Sequence, residues 1–231
     1  FDNAKKISSY LRIKSNHKAI TTMQPSYSYG LSIINSHLLK GASIVMTEKT
    51  LFEKKFWELI NKYKVTTFGG VPFTFEILKK IRFEKLDLPY LRYVTQAGGK
   101  LSDKLLREMI LIFKKKNIKL ITMYGQTEAS PRMSYLPWKF LSKKIGSIGK
   151  PIHGGKFYIF DKNKKVINKT DSIGELVYKG KNVMLGYAEN FKDLDNIIND
   201  DLLFTGDLAY KDNEGFYYIT GRKSRFIKIF G

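Results

Sequence analysis

The sequence predicts an α/β protein in which a parallel sheet layered with helices is followed by a small antiparallel β-barrel subdomain. Three observations lead to this prediction. Up to about residue 145, short apolar runs alternate with amphipathic stretches of roughly ten residues. Small residues cluster directly after several of these apolar runs. From residue 146 onward, glycines divide the chain into short β-type runs, a pattern typical of antiparallel sheets.

The first elements follow from helical spacing and from β-branched runs. The predicted order is helix, strand, loop, buried helix and strand, at residues 4–20, 21–24, 25–30, 31–39 and 42–46. The buried helix is indicated by Leu31, Ile34 and Leu38, which recur at helical spacing. Gly41 then follows as a typical helix C-terminus.

The same alternation continues along the chain. We predict helices at 52–63, 73–81 and 103–116, and strands at 66–68, 91–95 and 120–123. The first of these helices places Phe56, Ile60 and Tyr63 on one apolar face. We predict Ser102 as the N-cap of the third. In a parallel sheet of this kind, ligands bind at the carboxyl ends of the strands.

The chain therefore divides into three parts. Residues 1–145 form the α/β part, residues 146–220 the predicted barrel subdomain, and residues 221–231 a basic segment that leaves it. In the second part, β-type runs lie at 156–160, 175–178 and 216–220, with a turn at Asp161-Lys162-Asn163.

Composition excludes several classes of protein. The chain has 231 residues, 43% of them hydrophobic, and no cysteine. It is therefore neither disordered nor disulfide-stabilised, and it has no thiolate nucleophile or cysteine-ligated zinc. No apolar run reaches the ~20 residues that a membrane span requires. We expect no membrane span and a cytoplasmic location.

The formal net charge of +20 raises the question of nucleic-acid binding. The basic residues are mostly lysine and are spread along the chain, with the longest run at Lys114-Lys115-Lys116. Sites that read bases favour arginine. We interpret the charge as a lysine-rich solvated surface and expect no nucleic-acid partner. A basic nucleic-acid-binding domain stays open as an alternative function.

Three strings carry candidate chemistry. After one strand come Tyr124, Gly125, Gln126, Thr127 and Glu128, where a hydroxyl and a carboxylate suit a phosphate and its Mg²⁺. The alternative interpretation of this string is that the strand simply ends in a loop that carries a solvent-exposed glutamate.

The second string is a predicted Thr205-Gly206-Asp207 turn, whose carboxylate suits a ribose diol. A hairpin at residues 212–215 would return Arg222 towards Asp207, where a structural salt bridge is the alternative. The third string, Gly98-Gly99-Lys100 after a strand, would let a flat ring lie against the backbone or would simply turn the chain.

Together and in this order, the strings resemble the adenylate-forming superfamily of AMP-dependent acyl-CoA synthetases, peptide-synthetase adenylation domains and firefly-type luciferases. The matching motifs are an aromatic loop at 25–30, the glycine pair at 98–99, Tyr-Gly-x-Thr-Glu at 124–128, Gly-Glu-Leu at 174–176 with Gly180 and Gly186-Tyr187, Thr-Gly-Asp at 205–207 and Gly-Arg at 221–222. The match covers nearly the whole chain and resembles that family's large N-terminal domain.

The resemblance implies a role for each matching residue. Tyr124 would stack on adenine beside Gly98, Gly99, Lys100 and Gly125. Thr127 would bind the α-phosphate and Glu128 the Mg²⁺, and these two would be the catalytic pair. Asp207 and Arg222 would bind the ribose. Tyr27 would contact the acyl group, and the alternative interpretation is that it is a half-buried loop tyrosine without a role in binding.

The implied reaction joins a carboxylic acid to a thiol. The acid attacks ATP to give an acyl-adenylate and pyrophosphate, and the thiol of CoA then displaces AMP. The alternative acceptor is the phosphopantetheine of an acyl carrier protein.

The family's glycine-rich phosphate loop and its lid lysine have no match here, and Ser224 departs from the usual hinge residue. We therefore expect a fragment of a longer enzyme, inactive or very slow alone, with 221–231 as the hinge towards a C-terminal lid domain.

Overall fold

A computed structural model describes residues 1–195 and 201–223. Its strands are β1 (Lys18–Ile20), β2 (Ser43–Val45), β3 (Thr67–Gly70), β4 (Tyr93–Gln96), β5 (Lys119–Gly125), β6 (Arg132–Leu136), β7 (Ser147–Pro151), β8 (Lys156–Phe160), β9 (Gly174–Lys179), β10 (Leu202–Lys211) and β11 (Tyr217–Arg222). Its α-helices are α1 (Asp2–Tyr10), α2 (Ser28–Leu38), α3 (Lys54–Lys62), α4 (Pro72–Lys80), α5 (Asp103–Lys115) and α6 (Trp138–Leu141). Among the helices so described, none is long and apolar enough to cross a membrane.

The predicted parallel sheet with helices on both faces is confirmed. Strands β2, β1, β3, β4 and β5 lie side by side and are parallel. Phe68, Val94 and Leu120 are in register on neighbouring strands and belong to the core that α3, α4 and α5 cover. Because successive side chains alternate between faces, Tyr93 points the other way and packs with Ile7 of α1. The carboxyl ends of β4 and β5 therefore meet at one edge, between two helical layers.

The predicted barrel is wrong for the described residues. Strands β7 to β11 are antiparallel, as expected for this part of the chain, but they pair through β6 with the first sheet and continue it, in the order β2-β1-β3-β4-β5-β6-β7-β11-β10-β9-β8. The physical reason is that β7 pairs with β6 on one side and with β11 on the other, so the second set of strands extends the sheet instead of closing on itself. Its own core contains Phe157, Leu176, Tyr178 and Tyr217.

Most predicted helices and strands are confirmed, and the Ser102 hydroxyl caps α5 by accepting a hydrogen bond from the backbone N–H of Leu105 at 3.3 Å. Several details are wrong. The first helix ends at Tyr10, and β1 precedes the predicted 21–24 strand. The helix α2 begins at Ser28 inside the predicted loop. Strands β6, β7 and β10 and the short helix α6 were not predicted.

The Thr205-Gly206-Asp207 segment is a bulge within β10 and not a turn, because the pairing with β9 shifts between Phe204 and Leu208. The predicted hairpin turn between β10 and β11 is confirmed. The structure describes only residues 221–223 of the predicted hinge segment, and Ser224 lies outside the described residues.

Candidate functional site

A cleft of about 470 Å³ lies where the carboxyl ends of β4 and β5 meet the start of α2 and the β10–β11 hairpin. This is the edge at which a parallel sheet collects its ligands. The cleft is lined by every residue for which the sequence predicts a binding or catalytic role: Tyr27, Gly98, Gly99, Lys100, Tyr124, Gly125, Thr127, Glu128, Asp207 and Arg222. Residues nearly two hundred positions apart are thus brought to one site by the fold.

Asp207 is the centre of the polar network in this cleft. Its Oδ2 atom accepts hydrogen bonds from the Tyr124 hydroxyl at 2.5 Å and from Nε2 of Gln126 at 3.2 Å. Its Oδ1 atom lies 3.4 Å from Nε of Arg222. The pKa of the Tyr124 hydroxyl is raised above its ordinary value, mainly because the group is buried and secondly because it lies beside the negative charge of Asp207. The phenol therefore stays protonated. The tyrosine ring and the carboxylate are therefore fixed relative to each other.

The backbone of β10 and β11 explains why Asp207 and Arg222 meet. The two residues are paired across the hairpin, so the sequence-based expectation that Arg222 returns towards Asp207 is confirmed. The bulge is held by Thr205, whose hydroxyl donates to the Leu176 carbonyl at 2.7 Å and accepts from the Asp207 N–H at 3.1 Å. Arg222 remains 59% exposed at its side chain, and such an exposed ion pair contributes little to stability.

The glycine pair after β4 forms a flat wall of the cleft. Gly98 has φ of +77°, in the left-handed region, and a Cβ atom there would lie 2.8 Å from the Tyr27 hydroxyl. The Gln96 side chain fixes the loop by donating from Nε2 to the Gly99 carbonyl at 2.7 Å. A side chain at Gly98 would thus fill the space beside Tyr27, and one at Gly99 would lie 2.9 Å from the ring of Pro72.

The backbone fold explains why residue 125 is a glycine. A Cβ atom there would lie 1.6 Å from the carbonyl oxygen of Pro131, because the chain doubles back from β5 into β6 at this point. The requirement comes from the protein backbone itself and applies whether or not a ligand is present. The tight return places Thr127 and Glu128 on a short 3₁₀ turn above the strand end.

Thr127 and Glu128 present their oxygen atoms at the mouth of the cleft. The exposed Thr127 hydroxyl shares a 3.0 Å hydrogen bond with the Ser28 hydroxyl at the start of α2. The Glu128 carboxylate accepts a 2.7 Å hydrogen bond from the Tyr187 hydroxyl. In the part of the chain that the structure describes, no group of three or more His, Cys, Asp or Glu side chains could hold a metal by itself.

The cleft has two sides, because side chains alternate along the strands. On β5, the side chains of Thr122 and Tyr124 point to the same face of the sheet as Leu120, which is the face covered by α5. Gln96 of β4 is paired with Thr122 and points to that face too. Met123 points to the opposite face, towards α2. The Thr122 hydroxyl is buried, lines the cleft and makes no hydrogen bond within the described residues.

Sequence reasoning missed Ser28, Gln126 and Thr122 as site residues. A signal existed for Gln126 and Thr122, because both lie within or next to the Tyr-Gly-x-Thr-Glu motif. Ser28 had none, since its approach to Thr127 depends on how α2 packs.

The comparisons with known proteins identify the family of this chain. The model of a family described as AMP-binding enzyme matches residues 2–188, which is most of the chain. The chain belongs to the AMP-binding enzyme family. The resemblance inferred from the motifs is thereby confirmed.

Several relatives of this AMP-binding family member are CoA ligases. Over 198 residues it is 31% identical to 2-succinylbenzoate–CoA ligase from Listeria monocytogenes, covering 86% of this chain and 39% of the relative. Over 218 residues it is 26% identical to indoleacetate–CoA ligase from Aromatoleum aromaticum, covering 93% and 41%. The chain therefore spans about two fifths of the length of these relatives.

Solved structures share the fold of this chain. O-succinylbenzoate coenzyme A synthetase (MenE) from Bacillus subtilis, in complex with ATP and magnesium ion, matches with a TM-score of 0.82 and 26% identity, covering 99% of this chain and 46% of that chain. The same synthetase in complex with AMP matches with a TM-score of 0.81 and 26% identity, covering 96% and 45%.

Proposed function

We propose that this chain is the nucleotide-binding part of an acid–thiol ligase. In the proposed reaction, a carboxylate oxygen attacks the α-phosphorus of ATP, the α–β phosphoanhydride bond breaks and pyrophosphate leaves. The thiol sulfur of CoA then attacks the acyl carbon, and AMP leaves as the acyl–oxygen bond breaks. The single observation that carries the proposal is the cleft in which Tyr124, Asp207 and Arg222 meet Thr127 and Glu128.

The adenosine would lie on the α5 side of the cleft. Tyr124 offers a ring held by its hydrogen bond to Asp207, and the Gly98-Gly99 wall leaves room beside it for a flat base, with Lys100 and Gly125 at its border. The unpartnered Thr122 hydroxyl supports this fit, because a buried polar atom without a partner costs free energy that a ligand atom would remove. Asp207 and Arg222 would bind the ribose hydroxyls.

The phosphates and Mg²⁺ would lie at the cleft mouth. Thr127 would donate its hydroxyl hydrogen to an α-phosphate oxygen. Glu128 would supply one carboxylate to the metal, and this single carboxylate fits Mg²⁺, which is usually bound by one or two carboxylates together with phosphate oxygens and water. The Tyr187 hydroxyl would orient that carboxylate, since the two already form a hydrogen bond. When bound, the metal would neutralise charge on the phosphates.

The acid would lie on the α2 side, against Tyr27. This tyrosine is 41% exposed, and its hydroxyl borders the glycine wall, so an acyl group there would reach the α-phosphate at Thr127. We propose CoA as the thiol acceptor because the relatives named above are CoA ligases. In this proposal residues 1–145 and 146–220 build the site together with Arg222, and residues 221–231, to which Arg222 belongs, act as a hinge.

Calorimetry with AMP on the folded 231-residue chain tests the nucleotide site. We expect saturable binding with one site, and a folded sample that takes up no AMP would refute the proposal. The acceptor is tested separately on the longer parent protein. Thioester formation with CoA alone supports the CoA assignment, whereas activity that requires a phosphopantetheine carrier protein would replace it.

A further inference from the structure

A buried arginine borders the α2 side of the same cleft. Arg132 begins β6, lines the cleft and is only 2% exposed. Its guanidinium donates from Nε and Nη2 to the Ser32 hydroxyl at 3.2 and 3.0 Å, and from Nη1 to the sulfur of Met123. The guanidinium carbon also lies 4.2 Å from the centre of the Tyr29 ring. Every one of these partners is uncharged.

The charge of Arg132 has no protein counter-ion among the residues that the structure describes. None of the ion pairs formed there includes this arginine. Arginine stays protonated in proteins, so the charge is not relieved by loss of a proton. A buried cation is costly unless an anion compensates it, and a hydroxyl and a thioether do not offer the paired oxygens that a guanidinium binds best. The site therefore fits an anion from outside the protein.

Contacts with the helix α2 show how far Arg132 lies from the cleft mouth. Ser28 contacts Thr127 at the mouth, and Ser32, which contacts Arg132, lies four residues further along the same helix. Four residues correspond to about 6 Å along an α-helix. An anion on Arg132 would therefore lie roughly one helical turn below the position proposed for the α-phosphate. That separation is too large for the reacting carboxylate itself and suits a second acidic group a few carbon atoms away.

We propose that Arg132 binds the second carboxylate of a dicarboxylic acid, which is the substrate class of this site. The inference rests on the proposed function, because it takes the first carboxylate to react at Thr127 and Glu128. Ser32, Met123 and Tyr29 would hold the guanidinium in place, and the substrate would complete its charge balance. A monocarboxylic acid of the same length would leave the buried charge unpaired.

The test compares acids of equal carbon number on the 231-residue chain by calorimetry in the presence of AMP. Succinate, glutarate and adipate are paired with butanoate, pentanoate and hexanoate. We expect at least one dicarboxylate to bind about 10- to 100-fold more tightly than its partner, as for a lost hydrogen bond between charged groups. Arg132→Met should abolish this preference. The inference is overturned if no dicarboxylate is preferred, or if the preference survives the substitution.

Two further variants make the result specific. Arg132→Lys keeps the charge but not the planar fork, so it should retain part of the preference, and it serves if Arg132→Met does not fold. Arg92→Met removes an exposed arginine outside the cleft and should leave the preference unchanged. AMP titration of each variant separates the two proposals. A chain that binds AMP but shows no preference contradicts only the dicarboxylate inference, whereas failure to bind AMP contradicts the proposed function.

Discussion

The substitution Asp207→Asn should weaken AMP binding without unfolding the protein. The side chain keeps its size, and its surroundings determine how the amide orients. Tyr124 and Gln126 both donate to the Oδ2 position, so the amide oxygen would occupy that position. The amide nitrogen would then replace Oδ1, 3.4 Å from the Arg222 donor. A donor would thus face both Arg222 and the proposed ribose.

The expected magnitude follows from the lost acceptor. A hydrogen bond to a charged group contributes about 1.5–3 kcal/mol, and the substitution removes the acceptor that would face the ribose. We expect AMP binding to weaken by about 2–3 kcal/mol, which is roughly 30- to 150-fold in Kd.

Calorimetry with AMP and with 2′,3′-dideoxy-AMP measures this loss of affinity and shows whether it comes from the ribose hydroxyls. For the unaltered chain, removing the ribose hydroxyls should cost at least as much as the substitution, since it removes the contacts with both Asp207 and Arg222. For Asp207→Asn, the difference between the two nucleotides should be much smaller than for the unaltered chain. Asp161→Asn, a charge-matched change outside the cleft, should have no effect. Equal weakening of both nucleotides by Asp207→Asn would refute the assignment of Asp207 to the ribose.

Three other predictions concern stability, metal and pH. Gly125→Ala should lower the free energy of unfolding by about 3 kcal/mol in urea titrations, because of the contact with Pro131, whereas Gly221→Ala, with no atom within 4 Å, should be nearly neutral. Glu128→Gln should abolish the strengthening of ATP binding by Mg²⁺ while metal-free AMP binding stays unchanged; a persistent Mg²⁺ effect would contradict the metal role. Burial lowers the pKa of His37 from 6.5 to about 4, so the unfolded chain binds the proton first as pH falls. Unfolding free energy should therefore drop by about 1.5 kcal/mol between pH 6.5 and about pH 5, and His37→Gln should flatten this slope.

The α/β part could be predicted from sequence because its signals are local. Helical spacing places Phe56 and Ile60 on the buried face of α3, and the Ser102 hydroxyl caps α5. Helix-like spacing continued past the true end of α1, however, and hid β1, which has only three residues. Strand β6 was missed because its five residues, from Arg132 to Leu136, mix charged, polar and apolar side chains.

The open sheet could not be predicted because closure depends on pairing between distant strands. Short β runs and glycines indicate antiparallel strands, but not that β7 pairs with both β6 and β11. The bulge at Gly206 has the composition of a turn, and only its pairing with β9 distinguishes the two.

The candidate site was predictable where its residues form short motifs. Tyr124, Thr127 and Glu128 are close in sequence, and Asp207 and Arg222 are brought together by one hairpin. Contacts that cross between distant elements were not predictable, such as that of Ser28 with Thr127. The burial of Arg132 against α2 belongs to the same class, because a charge in a strand gives no sign of which face it occupies.

The central claim is that this cleft binds a nucleotide between Tyr124 and the Asp207–Arg222 pair. A crystal structure of the chain with AMP tests it most directly. We predict the adenine ring against Tyr124, both ribose hydroxyls within hydrogen-bond distance of Asp207, and the phosphate at Thr127. Density for AMP elsewhere on the molecule, or a cleft without nucleotide at saturating AMP, would contradict the account.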